Sequence, residues 1–447
     1  MSAPSRFRSP VALAALVVGV LVTTLLTAPD GPANASSRAT QSNPTGRAAG
    51  SPSNGSGYLE VGLSTTTDGQ ILITWKRPGP LSRLRSYDVQ VGVNYRLTTK
   101  VRHYKVSRKR QSIVVPPAFS ATRYSGNFSF VRLVVHRSNG TRGTRPAKWI
   151  QTPLGAGCPS GSDRATIGTF NVETWGADVR HGSRTRFNWS KRGPRVVRTI
   201  LRSGAHAVAI QEATGRAGGG HGKRRQSPWI LAHLNADDPD PAAHWVDALP
   251  EDAYRGEGHI GTRVFFDANK YDKLASGFDR IRDPHAPTAY APWVRLMGAG
   301  GSTSPFILVS THLANTDTRR AFNARNREIK QVIALTQRLR DTYGGQVVLA
   351  GDFNSTVDIK PYNGVQTALL RAGFYDAFAS AKIVHSDFAT TNSLKFPVRR
   401  SPHRRDYIMT VGGTPGSCRY VNYAYRKASQ VASDHFMQAA TVPVSAG

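Results

Sequence analysis

The sequence predicts a two-domain protein in which a small all-β sandwich precedes a larger α/β domain. Short β-rich runs separated by turn residues recur over residues 58–154, at a spacing typical of an antiparallel sandwich. Over residues 158–447, strand-like and helix-like patterns alternate instead, which is typical of a single α/β domain. A chain of 447 residues is long enough to bury a core in each of these domains.

The first 57 residues are predicted to lie outside both domains. Arg6 and Arg8 precede an uncharged, mostly apolar stretch at 11–28, and Ala33-Asn34-Ala35 follows as a cleavage pattern. This layout predicts a signal peptide over residues 1–35 and a secreted protein. The alternative is an uncleaved membrane anchor, because about 18 apolar residues can just span a bilayer. Residues 36–57, rich in Ser, Asn, Gly and Pro, predict a flexible linker.

The composition and net charge of the chain limit the kinds of molecule that it can bind. The chain carries 59 Lys and Arg against 28 Asp and Glu, a formal net charge of +31. Such an excess disfavours a basic partner and favours nucleic acid, another polyphosphate or an anionic surface. Two cysteines are too few for a disulfide-rich scaffold or a Cys-ligated zinc site. Cys158 and Cys418 are predicted to form one disulfide, with two free buried thiols as the alternative.

The small domain is predicted from six strands, at 59–63, 71–75, 86–93, 112–115, 129–136 and 148–151. It contains 17 Lys and Arg but only 3 Asp and Glu, and its densest basic cluster comprises Arg102, Lys105, Arg108, Lys109 and Arg110. This charge indicates a docking module for a polyanion. The alternative is an ordinary solvated sandwich in a generally basic protein. The runs at 71–75 and 87–91 resemble two adjacent strands of a fibronectin type III domain.

The large domain is predicted to begin with a strand at 166–172. A short helix at 194–202 follows, with Pro194 in its first turn and Gly204 after its end. Buried strands are predicted at 207–210, 305–311 and 346–350, with a helix at 319–340 between the last two. Residues 218–227 are predicted to be disordered.

Six short blocks of this domain place acids, amides or histidines next to apolar β-forming residues. They contain Asn171 and Glu173, Gln211 and Glu212, His312, Asp352 and Asn354, Asp406, and Asp434 with His435. One Asp after a strand is usually a turn or a helix cap. Six such blocks in one domain instead predict polar strand ends that converge in one cleft.

These residue types predict metal-assisted hydrolysis of a phosphate ester. Glu212, Asp434 and the Asn171 amide offer hard oxygen ligands, which suit Mg²⁺, Mn²⁺ or Ca²⁺ better than Zn²⁺. Such a cation would neutralise the phosphate. His312 and His435 can move protons near neutral pH.

The order of the blocks along the chain and their amino-acid sequences resemble those of the endonuclease/exonuclease/phosphatase superfamily of deoxyribonuclease-I-like proteins. The resemblance runs from about residue 166 to 442. It is carried by Gly-Asp-Phe-Asn at 351–354 and Ser-Asp-His at 433–435, with Gln-Glu at 211–212, Thr-His-Leu at 311–313 and Asp-Tyr at 406–407 in the family's order. The resemblance implies a four-layer α/β/β/α sandwich.

The resemblance also implies a role for each matching residue. Asn171 would hold phosphate or metal, Glu212 would be the main metal ligand, and Asp434 would support metal and imidazole. His312 would be a general acid or a phosphate clamp. Asp352 would orient or deprotonate the attacking water, and Asn354 would bind a phosphoryl oxygen. His435, paired with Asp406, would be a general base or a transition-state clamp.

Two positions depart from the family pattern. Some members have an Asp where this chain has Glu173, which is therefore interpreted either as an outer-sphere ligand or as a solvated strand residue. The abasic-site branch uses a mid-chain Tyr, and Tyr254 is not aligned firmly enough with it to predict that specificity.

For the substrate, the sequence favours a nuclease that acts on DNA or RNA. The charge supports this, as do the basic runs Lys223-Arg224-Arg225, Arg399-Arg400 and Arg404-Arg405. The last two precede Asp406 and are predicted to contact a phosphate backbone, with solvated loops as the alternative for all three runs. One alternative is a sphingomyelinase-like or small-molecule phosphoester hydrolase, for which Trp229, Trp245 and Trp293 could contact a bilayer. The second is a non-catalytic polyanion-binding protein. No stable protein partner is predicted.

Overall fold

The computed structural model describes most of the chain after residue 60. The described ranges are 61–66, 70–92, 97–98, 101–117, 128–144, 147–151, 161–175, 188–214, 225–250, 253, 261–356, 364–380, 382–385, 388–398 and 403–445. The predicted signal peptide, the linker and Tyr254 lie outside these residues. No helix within the described ranges combines the length and the apolar character of a membrane span.

The described secondary structure comprises twenty-one strands and four α-helices. The strands of the small domain are β1 Val61–Thr65, β2 Ile71–Trp75, β3 Leu84–Gly92, β4 Arg102–Ser107, β5 Ser112–Val115, β6 Phe128–Arg137, β7 Arg142–Thr144 and β8 Lys148–Gln151. The large domain contains β9 Asp163–Asn171, α1 Trp189–Ser203, β10 Ala207–Gln211, α2 Gln226–Asp237, β11 Trp245–Asp247, β12 Arg263–Asp267, β13 Tyr271–Asp283, β14 Ala286–Gly298, β15 Phe306–His312, α3 Arg319–Tyr343, β16 Gln346–Asp352, α4 Gly364–Arg371, β17 Tyr375–Asp376, β18 Ile383–Val384, β19 Asp406–Val411, β20 Arg419–Asn422 and β21 Gln438–Val444.

The small domain is an antiparallel β-sandwich. One sheet has the order β1-β2-β5, and the other has the order β4-β3-β6-β7 with β8 also paired to β6. Alternate residues of both sheets share one apolar core, in which Trp75 and Tyr87 meet edge to face with ring centroids 5.1 Å apart. The sandwich prediction is thus confirmed at the level of architecture, whereas kinship with fibronectin type III domains stays a prediction.

The large domain has four layers, as predicted. A seven-stranded sheet has the order β11-β12-β10-β9-β21-β20-β18, and a six-stranded sheet has the order β13-β14-β15-β16-β19-β17. Apolar side chains from the facing sides of both sheets form one core. Helices α1 and α2 cover the outer face of the first sheet, and α3 and α4 cover that of the second.

Two buried polar networks also join the sheets. In the first, Thr169 donates to the Gln211 side-chain oxygen at 3.3 Å, and the Gln211 amide donates to Ser310 Oγ at 3.1 Å. A buried polar group that loses its hydrogen-bond partner destabilises the protein. These hydrogen bonds therefore oppose sliding of one sheet over the other. This network lies one residue below the sheet edge at which the polar blocks end.

The second network is built on a buried arginine. Arg404 donates to both carboxylate oxygens of Asp376 at 3.0 and 3.3 Å and to the Tyr420 hydroxyl at 3.3 Å. Tyr420 in turn donates to Gln438 at 3.0 Å. The guanidinium also lies over the rings of Phe378 and of two tyrosines. The prediction that Arg404 contacts a phosphate backbone is therefore wrong, because its side chain is inside the protein.

Helix α1 begins earlier than its sequence predicts. It starts at Trp189, so Pro194 is its sixth residue and not part of its first turn, while Gly204 ends it in a left-handed conformation with φ of 67°. The turn before the proline is held from outside, since Arg192 donates to the backbone oxygens of Val172 and Ala432 at 2.8 and 3.1 Å. These tertiary bonds explain why a proline inside the helix is tolerated.

Cys418 is disulfide-bonded. The chain has only one other cysteine, Cys158, which lies outside the described residues. The free-thiol alternative is therefore wrong for Cys418, and the predicted pairing with Cys158 stays a prediction.

Candidate active site

The polar blocks converge at one edge of the two facing sheets. Asn171 ends β9 and Glu212 follows β10, while His312 and Asp352 end the parallel strands β15 and β16. Asp406 begins β19, which runs antiparallel to β16 and places Asp406 beside Asp352. Carboxyl ends of parallel strands and amino ends of antiparallel strands share an edge, so the strand order groups the polar ends within each sheet. The packing of the two sheets face to face then brings both groups together, as the hydrogen bond from Asn171 to Asp352 shows. Their individual roles stay predictions.

Asn171 links two of the carboxylates. Its side-chain nitrogen donates to Glu212 Oε1 at 2.9 Å and to Asp352 Oδ2 at 3.1 Å. The backbone N–H of Thr174 donates to the other Glu212 oxygen at 3.0 Å. Glu212 has φ of 60°, a left-handed conformation that is uncommon for a residue with a side chain. The turn after β10 therefore directs this carboxylate back into the cleft.

Two imidazoles flank Asp352. His435 Nδ1 lies 2.9 and 3.1 Å from the two carboxylate oxygens of Asp406. Its Nε2 lies 3.6 Å from Asp352 Oδ2, and His312 Nε2 lies 3.6 Å from the same oxygen. His312 Nε2 is also 3.9 Å from Glu212 Oε1. The Asp406–His435 pair predicted from the sequence is thus present as a contact, and it fixes the ring orientation.

Mutual electrostatics decide the protonation of these groups. Burial works against ionisation of Asp352, but His435 and His312 hold its pKa below the usual value. Burial likewise opposes a charge on His435, yet the carboxylates of Asp406, Asp352 and Asp434 raise its pKa well above that of a free imidazole. The cleft therefore holds an ionised Asp352 beside a cationic His435.

Glu212 and Asp434 differ in the direction of their shifts. Burial opposes the charge on Glu212, but His312, the Asn171 amide and the Thr174 N–H lower its pKa overall. Burial raises the pKa of Asp434, the His435 charge opposes this, and the negative charge of Glu212 raises it further. The two acids repel each other, as neighbouring ligands of a cation do when the cation is not bound.

The donor set fits a hard divalent cation. Four carboxylates (Glu212, Asp352, Asp406 and Asp434) lie beside two imidazoles, and carboxylate oxygens are the ligands that such a cation prefers. Among the described residues, ligand atoms of Asp352, Asp406 and His435 also lie within 4.8 Å of one another. Both Asp406 oxygens already contact His435, which leaves Glu212 and Asp434 as the better oxygen ligands. Asn171 directs its amide nitrogen to Glu212 and Asp352, while its oxygen accepts from the Glu173 N–H. An oxygen ligand at Asn171 would need this amide to be rotated.

Asn354 lies at the edge of this cluster. Its backbone N–H donates to Asp352 Oδ1 at 2.8 Å, and its amide nitrogen donates to the Leu313 carbonyl at 3.1 Å. Its amide oxygen accepts from Arg405 Nη1 at 3.4 Å. Asn354 therefore orients Asp352 and joins the turns after β15 and β16.

Two further residues, Thr390 and Ser433, support the site. The Thr390 hydroxyl accepts from the backbone N–H groups of Arg405 and Asp406 at 2.9 and 3.2 Å, which fixes the start of β19. Ser433 donates to the Asn171 carbonyl at 2.7 Å and accepts from the backbone N–H of His435 at 3.2 Å. Thr390 is in no motif, whereas Ser433 is part of the Ser-Asp-His block.

Gln226 holds the turns beside Glu212. Its amide nitrogen donates to the Glu173 carbonyl at 3.1 Å, and its oxygen accepts from the Trp175 N–H and the Thr214 hydroxyl at 2.9 and 2.8 Å. Gln226 is buried and begins α2. The prediction of disorder over 218–227 is thus wrong for Gln226 and Ser227, while 218–224 lie outside the described residues.

Glu173 is not the solvated strand residue of one predicted interpretation. It lies after β9, is buried, and has φ of 56°. One carboxylate oxygen lies 3.7 Å from Arg192 Nη1. The other interpretation, an outer-sphere ligand, stays a prediction.

Gly351 permits the close approach of the strands below the site. A Cβ atom built at this position would lie 1.9 Å from the Thr311 carbonyl oxygen. Any larger residue would have to push β15 away from β16, and these two strands carry His312 and Asp352. The glycine of the Gly-Asp-Phe-Asn block is therefore a packing requirement.

Comparison with known proteins adds three similar folds. No family model and no curated protein matches the chain. Among solved structures, it is similar to an endonuclease/exonuclease/phosphatase family protein from Bacteroides thetaiotaomicron (16% identity, 62% of this chain and 94% of that one, TM-score 0.48). It is also similar to an endonuclease/exonuclease/phosphatase from Bacteroides vulgatus (19%, 64% and 100%, 0.49). The third is a mannosyl-6-phosphatase from B. thetaiotaomicron (15%, 62% and 99%, 0.48).

Proposed function

We propose that the chain is an exported, divalent-metal-dependent phosphodiesterase that hydrolyses DNA or RNA. The observation that carries this proposal is the Asp352 carboxylate, 3.6 Å from the imidazoles of both His312 and His435, beside the oxygen ligands around Glu212. Glu212, Asp434 and Asn171 would hold Mg²⁺, Mn²⁺ or Ca²⁺. The bound ion would neutralise the phosphate and stabilise charge that develops on its oxygens.

The arrangement of these groups favours one assignment of the proton transfers. As water attacks phosphorus, its proton passes to the ionised Asp352 carboxylate. His435, held by Asp406, donates its Nε2–H to a phosphoryl oxygen. The bond from phosphorus to the leaving oxygen breaks, and that oxygen takes a proton from His312. These roles are proposed together because both imidazoles lie 3.6 Å from the same Asp352 oxygen, which favours their action on one phosphate.

Nucleic acid is the proposed substrate because of the protein's charge. A net charge of +31 suits a polyanion held through many phosphates. Bilayer contact through the three tryptophans has less support: Trp245 is buried, Trp229 stacks on His233, and Trp293 packs against Tyr343. Export rests on the signal-peptide pattern of residues 1–35, with an anchor as the alternative.

A substrate panel tests the proposed function. We expect purified protein to cleave plasmid DNA or RNA with Mg²⁺ and to lose this activity in EDTA, because the carboxylate cluster needs a cation to accept a phosphate. Sphingomyelin and a phosphorylated inositol are assayed in parallel, with Ca²⁺ as a third metal condition. Preferred turnover of either one would replace the nuclease proposal with the small-phosphoester alternative. Binding of DNA without any hydrolysis would indicate the non-catalytic alternative.

The basic small domain is proposed to dock the same polyanion. Its cluster of Arg102, Lys105, Arg108, Lys109 and Arg110 is exposed. Removing charges that contact phosphates should make DNA affinity less dependent on salt, by about 0.9 in the log–log slope for each lost contact. We therefore expect a combined Gln variant of Arg102, Lys105, Lys109 and Arg110 to lower the slope by about 2 to 4, measured by fluorescence anisotropy of labelled duplex.

The control for this experiment removes the same charge from the large domain. It replaces four exposed cations, Arg282, Lys330, Arg338 and Arg371, with Gln. Equal slopes for the two variants would mean that only net charge matters, and the small domain would then lose its docking role.

A further inference from the structure

An exposed ion pair lies at the rim of the candidate active site. Arg405 Nη2 lies 3.2 Å from both carboxylate oxygens of Asp317, and its Nη1 donates to Asn354 at 3.4 Å. The Asp317 side chain is 65% exposed and that of Arg405 is 32% exposed. One nitrogen of the guanidinium thus contacts the Asn354 amide in the site, and another contacts the Asp317 carboxylate at the surface.

The backbone of Arg405 is fixed even though its partner is exposed. Its N–H donates to the buried Thr390 hydroxyl at 2.9 Å, and its carbonyl accepts from the Phe353 N–H at 2.8 Å. The next residue, Asp406, holds His435. The base of the Arg405 side chain is therefore positioned as firmly as the catalytic groups themselves.

Asp317 lies among cations. The buried Arg325 donates through one nitrogen to the carbonyls of Ala314 and Thr316, both at 2.8 Å, which braces the loop that carries Asp317. Burial lowers the pKa of Arg325, while the Asp317 charge opposes that shift and the Arg405 charge adds to it. Arg319 and Arg320, also nearby in the chain, are exposed. The Asp317 carboxylate therefore sits where an anion is favoured.

We propose that Arg405 is a specificity-determining residue that binds a second phosphate of the substrate, beyond the scissile one, after that phosphate displaces Asp317. The inference rests on the proposed function and deepens it. An exposed ion pair stabilises a protein little, so its exchange costs little. A guanidinium binds phosphate through two parallel hydrogen bonds, which are stronger and more directional than those of an ammonium.

The test compares ligands that differ by one phosphate. Thymidine 3′,5′-bisphosphate and thymidine 5′-monophosphate are titrated by calorimetry, once with Mg²⁺ and once in EDTA. We expect the wild type to bind the bisphosphate about tenfold or more tighter, since a charge-assisted bidentate contact is of that size. Arg405→Gln should reduce this ratio to about threefold or less, Arg405→Lys should give an intermediate ratio, and Asp317→Asn should increase it.

The control is another exposed Arg–Asp pair. Arg338 on α3 contacts Asp279, and Arg338→Gln should leave the ratio at the wild-type value. A wild type that does not prefer the bisphosphate, or an Arg405→Gln protein that keeps the full preference, would overturn the proposal. Thermal unfolding of each variant separates a lost contact from a lost fold, and Arg405→Lys provides a variant with the charge retained.

The second phosphate could belong to a nucleic acid or to a small bisphosphate. An inositol bisphosphate arm distinguishes these sources, because a preference for the nucleoside indicates nucleic acid and a preference for the inositol indicates a small molecule. Binding needs no turnover, so failure of this inference is separate from failure of the hydrolase proposal, which the substrate panel tests.

Discussion

Replacing Glu212 with Ala is expected to lower phosphodiester turnover by at least about 100-fold, the usual scale for loss of a metal ligand or proton-transfer group. The reason lies in how the carboxylate is held. Asn171 and the Thr174 N–H bind its two oxygens, and His312 lies 3.9 Å away. Its pKa is lowered, which favours the charged form that binds a cation. Steady-state kinetics over a Mg²⁺ titration measure the loss.

The matched control is Asp341→Ala, which removes an exposed carboxylate near the end of α3. It should keep wild-type kinetics and the wild-type metal dependence. Because Glu212 lies in the turn after β10 and not in the apolar core, Glu212→Ala should unfold at nearly the wild-type temperature. Near-normal hydrolysis by that variant would contradict the metal-ligand role of Glu212.

Runs of apolar residues in the sequence predicted most of the strands that carry the site, because these strands are buried. Strands β10, β15 and β16 are buried on both faces, as is β9 from Ile167 onward, so these strands contain apolar runs that end in polar residues. Strand β4 was missed because it is at a sheet edge, where of its six residues only Val106 is buried. From the sequence, its basic residues were interpreted as part of a surface cluster, and in the structure they are exposed.

The supporting residues of the site could not be predicted in the same way. Thr390 and Gln226 act through contacts with segments 15 or more residues away, and nothing in their own neighbourhoods distinguishes them from loop residues. Arg404 and Arg405 read alike in the sequence. One is buried against Asp376 and the other lies at the rim beside Asp317, a difference that the partners decide. Polar residues that complete buried networks are therefore found only once the tertiary contacts are known.

The buried pair of Arg404 and Asp376 gives the largest expected effect on stability. We expect Asp376→Asn to lower the free energy of unfolding by about 3–5 kcal/mol, because removing one partner leaves an uncompensated charge inside the protein. Arg404 stays charged. Burial opposes its charge, but Asp376, Tyr420 and Tyr407 raise its pKa above the usual value. A domain is typically stable by about 5–15 kcal/mol, so the loss would be readily measured by urea unfolding.

Two further variants show whether the unpaired charge is the cause. The double variant Asp376→Asn with Arg404→Met removes that charge and should recover most of the lost free energy, since apolar replacements of buried ion pairs are often neutral. Asp279→Asn breaks the exposed contact with Arg338 and should cost no more than about 1 kcal/mol. Since Arg404 immediately precedes Arg405 and Asp406, activity of the double variant also reports on the rim and on His435. A double variant as unstable as Asp376→Asn would show that lost hydrogen bonds and ring contacts, and not the charge, dominate this part of the core.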